Sequence, residues 1–268
     1  MNEAYFSSLL EALRSGGDLT DFVRRWRDLL LLNLSDTHVL VIACDSNAAI
    51  GLKEDDYVKN AWHEVGRSAA KVPLMEILAA GAFPFVVINN LGVELEPTGE
   101  EILEGIRFEI KRLGLDPDVV LTGSAETNMP TKQTSVGMTV IGVAEKKDLR
   151  IGTSQPGDLI ACVGLPKSSP ERPYAEGDPD ITDPITVKRL RNLTYIREVL
   201  PVGSKGIAYE MSVLAKENNL KLMDLQSHIK THVSAGAATC VLATLQASDF
   251  ERLCRDLSEP VTKVGLLN

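Results

Sequence analysis

The stretch from residue 28 to 45, DLLLLNLSDTHVLVIACD, limits the fold more than any other part of this chain. Two short apolar runs flank Asn33-Leu34-Ser35-Asp36, whose polar residues supply turn chemistry, so the segment predicts a β-hairpin rather than a helix. The second run, Val39 to Cys44, is apolar throughout and rich in β-branched residues. It predicts a strand buried on both faces, and hence a sheet at the centre of the molecule. An acid stands at each end of the hairpin, Asp28 before the first strand and Asp45 directly after the second.

Around this hairpin the periodicity alternates between helix and strand. Helices are expected from Glu3 to Arg14, from Leu19 to Arg27, from Gly66 to Ala80 and from Glu100 to Arg112. Strands are expected in FPFVVINNLGVE, at Val119 to Leu121 and in TSVGMTVIGVAEK. A leading hairpin followed by mixed elements favours an α/β (α+β) fold with a mixed sheet over a doubly wound one. IGTSQPGDLIACVGLP reads as a boundary, which divides the chain into an N-terminal domain, residues 1–153, and a C-terminal α+β domain, residues 154–268. The second half offers a loop dense in Pro, Asp and Glu over 168–184, helices at Ile185 to Leu193 and Gly206 to Asn218, and a last helix from Ser248 to Leu257.

With 44% hydrophobic and 24% charged residues, the 268-residue chain can bury one large core or two smaller ones. No apolar run is long enough to span a bilayer, and the N-terminus reads as an amphipathic helix rather than a signal peptide. Cys44, Cys162, Cys240 and Cys254 form no CxxC pair, which argues against a zinc site or a disulfide framework and fits a reducing cytoplasm. A net charge of −9 argues against nucleic acid as a partner, because phosphate recognition needs a basic surface. Nucleotides remain open, since metal ions can bridge two sets of negative charge.

The acids at strand ends and in small-residue turns are the candidate chemistry. Besides Asp28 and Asp45, Glu76 lies in the apolar helical stretch PLMEILAAGA, and Glu126 lies in LTGSAETNMPT beyond another apolar strand. A carboxylate in so apolar a helix is costly unless it is paired or bound to metal. Each acid has an ordinary alternative: Asp28 and Asp45 as turn or capping residues, Glu76 as the ion-pair partner of a lysine such as Lys71. Ser46 and Asn128 to Thr134 could line a substrate site, with Lys132 offsetting negative charge, or form an exposed polar loop. Gly203-Ser204-Lys205-Gly206, before a helix, suits either a phosphate cradle or a plain helix start. It lacks the Walker A spacing. His228 and His232 have helical metal-ligand spacing but no third ligand nearby in sequence.

Taken together, the spacing of these acids resembles the superfamily of aminoimidazole ribonucleotide synthetase, thiamine-monophosphate kinase, selenophosphate synthetase and a hydrogenase-maturation protein. RDLLLLNLSDTHVLVIACD resembles the hairpin with an aspartate at each end; LMEILAAGAFP resembles the helix that carries an acid before Met-Gly-Ala-x-Pro; LTGSAET resembles the Gly-Gly-Asp-Thr turn; and QPGDLIACVGLP resembles the crossing into the second domain. Two family aspartates stand here as Glu76 and Glu126. SNAAIGLKEDD departs from the kinase's Val-Glu-Gly-x-His-Phe, which weighs against thiamine phosphate as substrate. The cysteine chemistry of selenophosphate synthetase and of the hydrogenase-maturation protein has no counterpart in this sequence.

The resemblance implies a homodimer with N-terminal sheets combined, ATP and Mg²⁺ as cofactors, and a small-molecule substrate, a nucleoside or phosphorylated vitamin precursor. It implies Asp28, Asp45, Glu76 and Glu126 as metal ligands. Asp28, Asp45, Gly123, Ser124 and Thr127 become nucleotide contacts, with Asp45 in catalysis; from the residues themselves, Lys205 is a further candidate nucleotide contact and Lys132 a candidate catalytic group. IACDS, LTGSAETNMPTKQTSVGMTVIG and SAGAATCVL further resemble the α-ribazole kinases, which phosphorylate the nucleoside of the cobalamin lower ligand. The expected reaction is therefore ATP-dependent phosphoryl transfer to α-ribazole. The alternatives are a thiamine-monophosphate kinase, an ATP-dependent synthetase and a non-catalytic nucleotide-binding regulator.

Overall fold

A computed structural model describes residues 3–268. Helix α1 (Glu3–Ser15) is followed by strand β1 (Val23–Trp26), which pairs antiparallel with β2 (Leu29–Asn33) across a tight turn at Arg27-Asp28. The helix expected from Leu19 to Arg27 is thus corrected. Val23 to Trp26 register against Leu32 to Leu29, and satisfying those backbone groups in a ladder outweighs local helix propensity. The expected hairpin of β2 with β3 (His38–Ala48) forms, with Leu30 opposite Ile42.

Burial along β3 alternates. Val39, Val41 and Ala43 are covered, whereas Leu40 and Ile42 are half-buried and Cys44 is exposed. This corrects the reading of a strand buried on both faces: the run is continuously apolar because both faces carry apolar side chains, yet only one is packed within this chain.

The short strands β4 (Ile50–Gly51) and β5 (Val58–Lys59) pair in parallel ahead of α2 (Trp62–Ala79). After α2 come β6 (Phe83–Leu91), α3 (Glu100–Arg112), the single turn α4 (Pro117–Val120), β7 (Leu121–Ala125) and β8 (Ser135–Glu145). The strand expected at Val119 to Leu121 begins two residues later, because Asp116 caps the turn that Pro117 opens and holds Pro117–Val120 helical. The first sheet has the order β1-β2-β3-β8-β6-β7. Its β6–β7 pair is parallel and the others are antiparallel, so the sheet is mixed, as expected.

Helix α2 packs on the inner face of this sheet, and α3 packs on α2. The two helices approach at glycines: a Cβ on Gly66 would lie 2.0 Å from the Ile102 carbonyl oxygen, and one on Gly105 would lie 2.0 Å from that of His63.

The second half contributes β9 (Asp158–Gly164), α5 (Pro184–Asn192), β10 (Ile196–Pro201), α6 (Gly206–Glu217), β11 (Leu222–Asp224), β12 (Cys240–Gln246), α7 (Phe250–Asp256) and β13 (Val261–Leu267). The second sheet, of order β10-β12-β9-β13-β11, is antiparallel throughout. Every residue of β9 is buried. Leu159, Ala161 and Val163 face the core built around α2, whereas Ile160 and Cys162 face a second core with Ile207, Met211 and Leu214 of α6. The two sheets share no strand, but α2 touches α5 and β10 as well as the first sheet, so one apolar core joins the two halves. His228 and His232 lie in an irregular segment, not on a helix.

The glycine crossing yields a direct test. Gly66→Ala and Gly105→Ala each put a methyl onto a backbone carbonyl and are expected to lower unfolding free energy by about 1–3 kcal/mol. Chemical denaturation of the two variants measures it.

Candidate functional site

One cavity, of about 1210 Å³, opens between the two halves. Its walls are the Arg27-Asp28 turn, the end of β3 from Asp45 to Ala48, one face of α2, the segment 168–176, the start of α6 and the segment 234–238. The α2 face consists of Glu64, Ser68, Val72 and Glu76, residues four apart that line up along one side of a helix.

Three of the acids singled out in the sequence meet at one end. Asp28 reaches it from the tight turn, where Arg27 holds a left-handed φ of +53°, and Asp45 reaches it from the face of β3 that looks toward α2. Glu76 projects from α2 and receives a 3.1 Å hydrogen-bonded ion pair from Arg27. The partner of Glu76 is therefore Arg27 and not Lys71, because Lys71 faces the segment around Glu176 on another side of the helix. A fourth acid, Glu210 on α6, lines the same cavity.

These carboxylates perturb one another. Burial pushes Asp45 up to about 6; the Ser46 backbone N–H opposes this and the neighbouring Asp28 charge adds to it. Burial likewise pushes Glu76 up to about 8, with Arg27 opposing and Asp28 and Glu210 reinforcing. Glu210 is raised by burial in the same way. Acids crowded so that each disfavours the other's ionisation lack positive charge. Arg27 supplies part of it, and a hard cation would supply the rest. Among the described residues no three His, Cys, Asp or Glu side chains are gathered as a ready metal cage. The donor set nevertheless fits Mg²⁺, which commonly takes one or two protein carboxylates and fills its remaining positions with water and phosphate oxygens.

Beside Glu210, Gly203, Ser204 and Lys205 line the cavity just before α6. Gly206 has φ +81°, and a Cβ there would lie 2.5 Å from the Val233 carbonyl oxygen, so the turn sits tightly against the 231–233 segment. The Lys205 ammonium lies 4.3 Å from the ring centre of Tyr209.

The remaining candidates are not brought to this cavity. Gly123 and Ser124 lie on β7, the edge strand of the first sheet, and Thr127 lies just beyond it, exposed. The Glu126 carboxylate accepts backbone N–H bonds from Asn128 and Met129, a local turn cap. Lys132 is exposed, 3.3 Å from Glu54. Ser46, by contrast, does line the cavity.

Several residues on the cavity wall or directly behind it were not legible as such. Arg27 belonged to an expected helix. Lys71 and Glu176 meet only because the segment after Ser168 folds back onto α2; their charged groups are 3.6 Å apart, with side chains 1% and 4% exposed. Burial lowers the lysine and raises the glutamate. A lysine inside SAAKVPLMEILAAG was the available signal, for the same reason as Glu76.

Residues 26–144 match the model of the family described as AIR synthase related protein, N-terminal domain. The fold is AIR-synthase-like. Thiamine monophosphate kinase from Aquifex aeolicus superposes with TM-score 0.64 at 14% identity, covering 100% of this chain and 95% of that one. A HypE–HypF complex gives 0.63 at 14%, covering 89% and 86%. PurL from T. maritima complexed with AMPPCP gives 0.63 at 15%, covering 88% of this chain and 41% of the longer PurL. No curated protein sequence matches. Among the described residues no helix is long and apolar enough to cross a membrane.

The raised carboxylates set a pH dependence. A folded-state value above the unfolded one means stability that is present at low pH and lost as pH rises through the folded value. In metal-free buffer the protein is expected to lose stability from about pH 4.5 to 8, the ordinary and folded values of Glu76. Glu76→Gln should flatten that slope, as followed by urea denaturation at each pH.

Proposed function

We propose that this chain is an ATP- and Mg²⁺-dependent kinase that transfers the γ-phosphoryl group to a hydroxyl of a small nucleoside, with α-ribazole as the substrate. The observation that carries this reading is the meeting of Asp28, Asp45 and Glu76 at one end of a cavity also lined by Gly203, Ser204 and Lys205. The family match over residues 26–144 supports it, as does the AIR-synthase-like fold shared with a thiamine monophosphate kinase.

Asp28 and Asp45 would hold Mg²⁺, with Glu76 kept in place by Arg27. When bound, the metal supplies neutralisation of phosphate charge. The chain's own residues position and exclude. Lys205 and the backbone N–H groups at the start of α6 face the anionic end of the nucleotide, and α2 with the 168–176 segment walls the cavity from solvent. Asp45 lines the acidic end where the attacking hydroxyl would arrive and could accept its proton. In phosphoryl transfer, positioning and charge neutralisation account for most of the acceleration.

We further infer a homodimer in which a second copy covers the outer face of the first sheet. Leu30, Ile42, Ile141 and Val86 form one cross-strand row there, and Leu40, Val143 and the exposed Phe83 form the next. Glu126, Lys132, Gly123, Ser124 and Thr127 would then serve the partner's nucleotide.

The test is incubation with Mg²⁺-ATP and α-ribazole, with thiamine monophosphate in parallel, read by product mass. One added phosphoryl on α-ribazole is expected; free phosphate with no phosphorylated product would point to a synthetase and sink the kinase reading. Asp45→Asn is expected to lower kcat on the order of 100-fold or more with an unchanged melting profile, and full activity would remove Asp45 from the mechanism.

A further inference from the structure

Seven buried polar side-chain atoms among the described residues have no hydrogen-bond partner, and three of them belong to residues on the cavity wall or directly behind it: Asn47 Oδ1, Glu176 Oε1 and Lys71 Nζ. Buried polar atoms of native proteins are nearly always paired, so unpaired groups of this kind are places for a ligand or an ordered water to complete.

The geometry fixes what each atom offers. Asn47 Nδ2 lies 3.1 Å from Ser68 Oγ, while Ser68 Oγ donates its hydrogen to the Val65 carbonyl. Ser68 can therefore only accept from Asn47, which puts the amide nitrogen toward α2 and leaves Oδ1 as a free acceptor. Asn47 and Glu176 both line the cavity. Lys71 lies behind Glu176, 5.5 Å from the ring centre of Tyr174, and its 3.6 Å approach to Glu176 is too long for a hydrogen bond. Ser68 and Lys71 are three residues apart on α2, about 4.5 Å along its axis, so the Asn47 and Glu176 acceptors are held on adjacent turns of one helix.

This set selects the chemistry of its ligand. Two free acceptors need donors. A phosphate or carboxylate would have none to give and would be repelled by Glu176 and by Glu64, which lines the same end. An ammonium has only donors and could not answer Lys71 Nζ, which also lacks a partner. A hydroxyl group donates to Asn47 and Glu176, carries no charge, and can accept from the lysine. Asp45 and Asn47 lie two residues apart on one face of β3, about 6.6–6.8 Å, the scale of a single sugar ring.

Resting on the kinase reading, we infer that Asn47 and Glu176, with Lys71 behind, form the specificity subsite for a pair of sugar hydroxyls on the phosphoryl acceptor. The acceptor is thus a ribonucleoside with its diol intact, held so that its remaining hydroxyl points to the acidic end. Lys71 is a positioning residue: it anchors Glu176 and with it the 168–176 segment.

Calorimetry of the full chain with Mg²⁺ and a non-hydrolysable ATP analogue tests this, with α-ribazole, its 2′-deoxy form and its 5′-phosphate as probes. The expected result is binding of α-ribazole at least 10-fold tighter than of the deoxy form. In Asn47→Ala and in the charge-neutral pair Lys71→Met with Glu176→Gln, that preference should fall below 3-fold, with nucleotide affinity retained and the protein still folded by circular dichroism. Equal binding of the ribo and deoxy forms, or a preference unchanged in both variants, would overturn the subsite. So would no binding of any nucleoside, and so would tighter binding of the 5′-phosphate that is lost with Lys71, which would make this an anion site. Product mass in a parallel Mg²⁺-ATP reaction separates the two readings: hydroxyl discrimination without phosphoryl transfer leaves the subsite and removes the kinase, whereas transfer without discrimination does the reverse.

Discussion

The structure depends on two charges buried in a helix that is otherwise core. Glu76 and Lys71 sit on α2 at 8% and 1% exposure, and neither can be left there alone. Their partners come from opposite parts of the chain. Arg27, from the first hairpin, pairs with Glu76, and Glu176, from the segment beyond β9, pairs with Lys71. Because the partners lie 49 and 105 residues away in sequence, satisfying the two charges draws the tight turn of the first half and the loop of the second half onto a single helix. The cavity is the space these three elements leave between them.

This arrangement also explains why the cavity has two chemically different ends. At the Glu76 end the acids outnumber their one arginine, so the local electrostatics lack positive charge and suit a cation with phosphates. At the Lys71 end Lys71 and Glu176 oppose one another without hydrogen-bonding, so polar valences stay unfilled. Under the proposed function, an anionic nucleotide with its metal would lie at the first end and a neutral polar acceptor at the second. α2 sets the distance between them, about 12 Å of helix rise from Ser68 to Glu76.

The glycine crossing of α2 with α3 and the two-sided burial of β9 serve the same end by different means. Close backbone approach at Gly66 and Gly105 keeps α2 from shifting along α3. β9 separates the two apolar cores and fixes the second sheet, and through β12 and its preceding segment the start of α6, against the first half. Both hold the residues of the cavity wall on rigid elements rather than on mobile loops.

Local sequence determined the elements wherever periodicity and turn chemistry agreed: the β2–β3 hairpin, the helix at Glu100–Arg112, and β8. It also marked Asp28, Asp45 and Glu76, since acids that end apolar runs or interrupt an apolar helix are anomalous on their own terms. It could not separate the two faces of β3, because both are apolar and hydrophobicity does not record which of them the chain itself covers. Nor could it choose helix or strand for Val23–Trp26, where the partner strand decides. Only the tertiary structure decided that Glu126 caps its own turn away from the cavity, that Arg27 rather than Lys71 answers Glu76, and that Asn47 and Glu176 face one space. These are long-range pairings, set by the cost of leaving buried charges and polar atoms alone, and no window of sequence contains both partners.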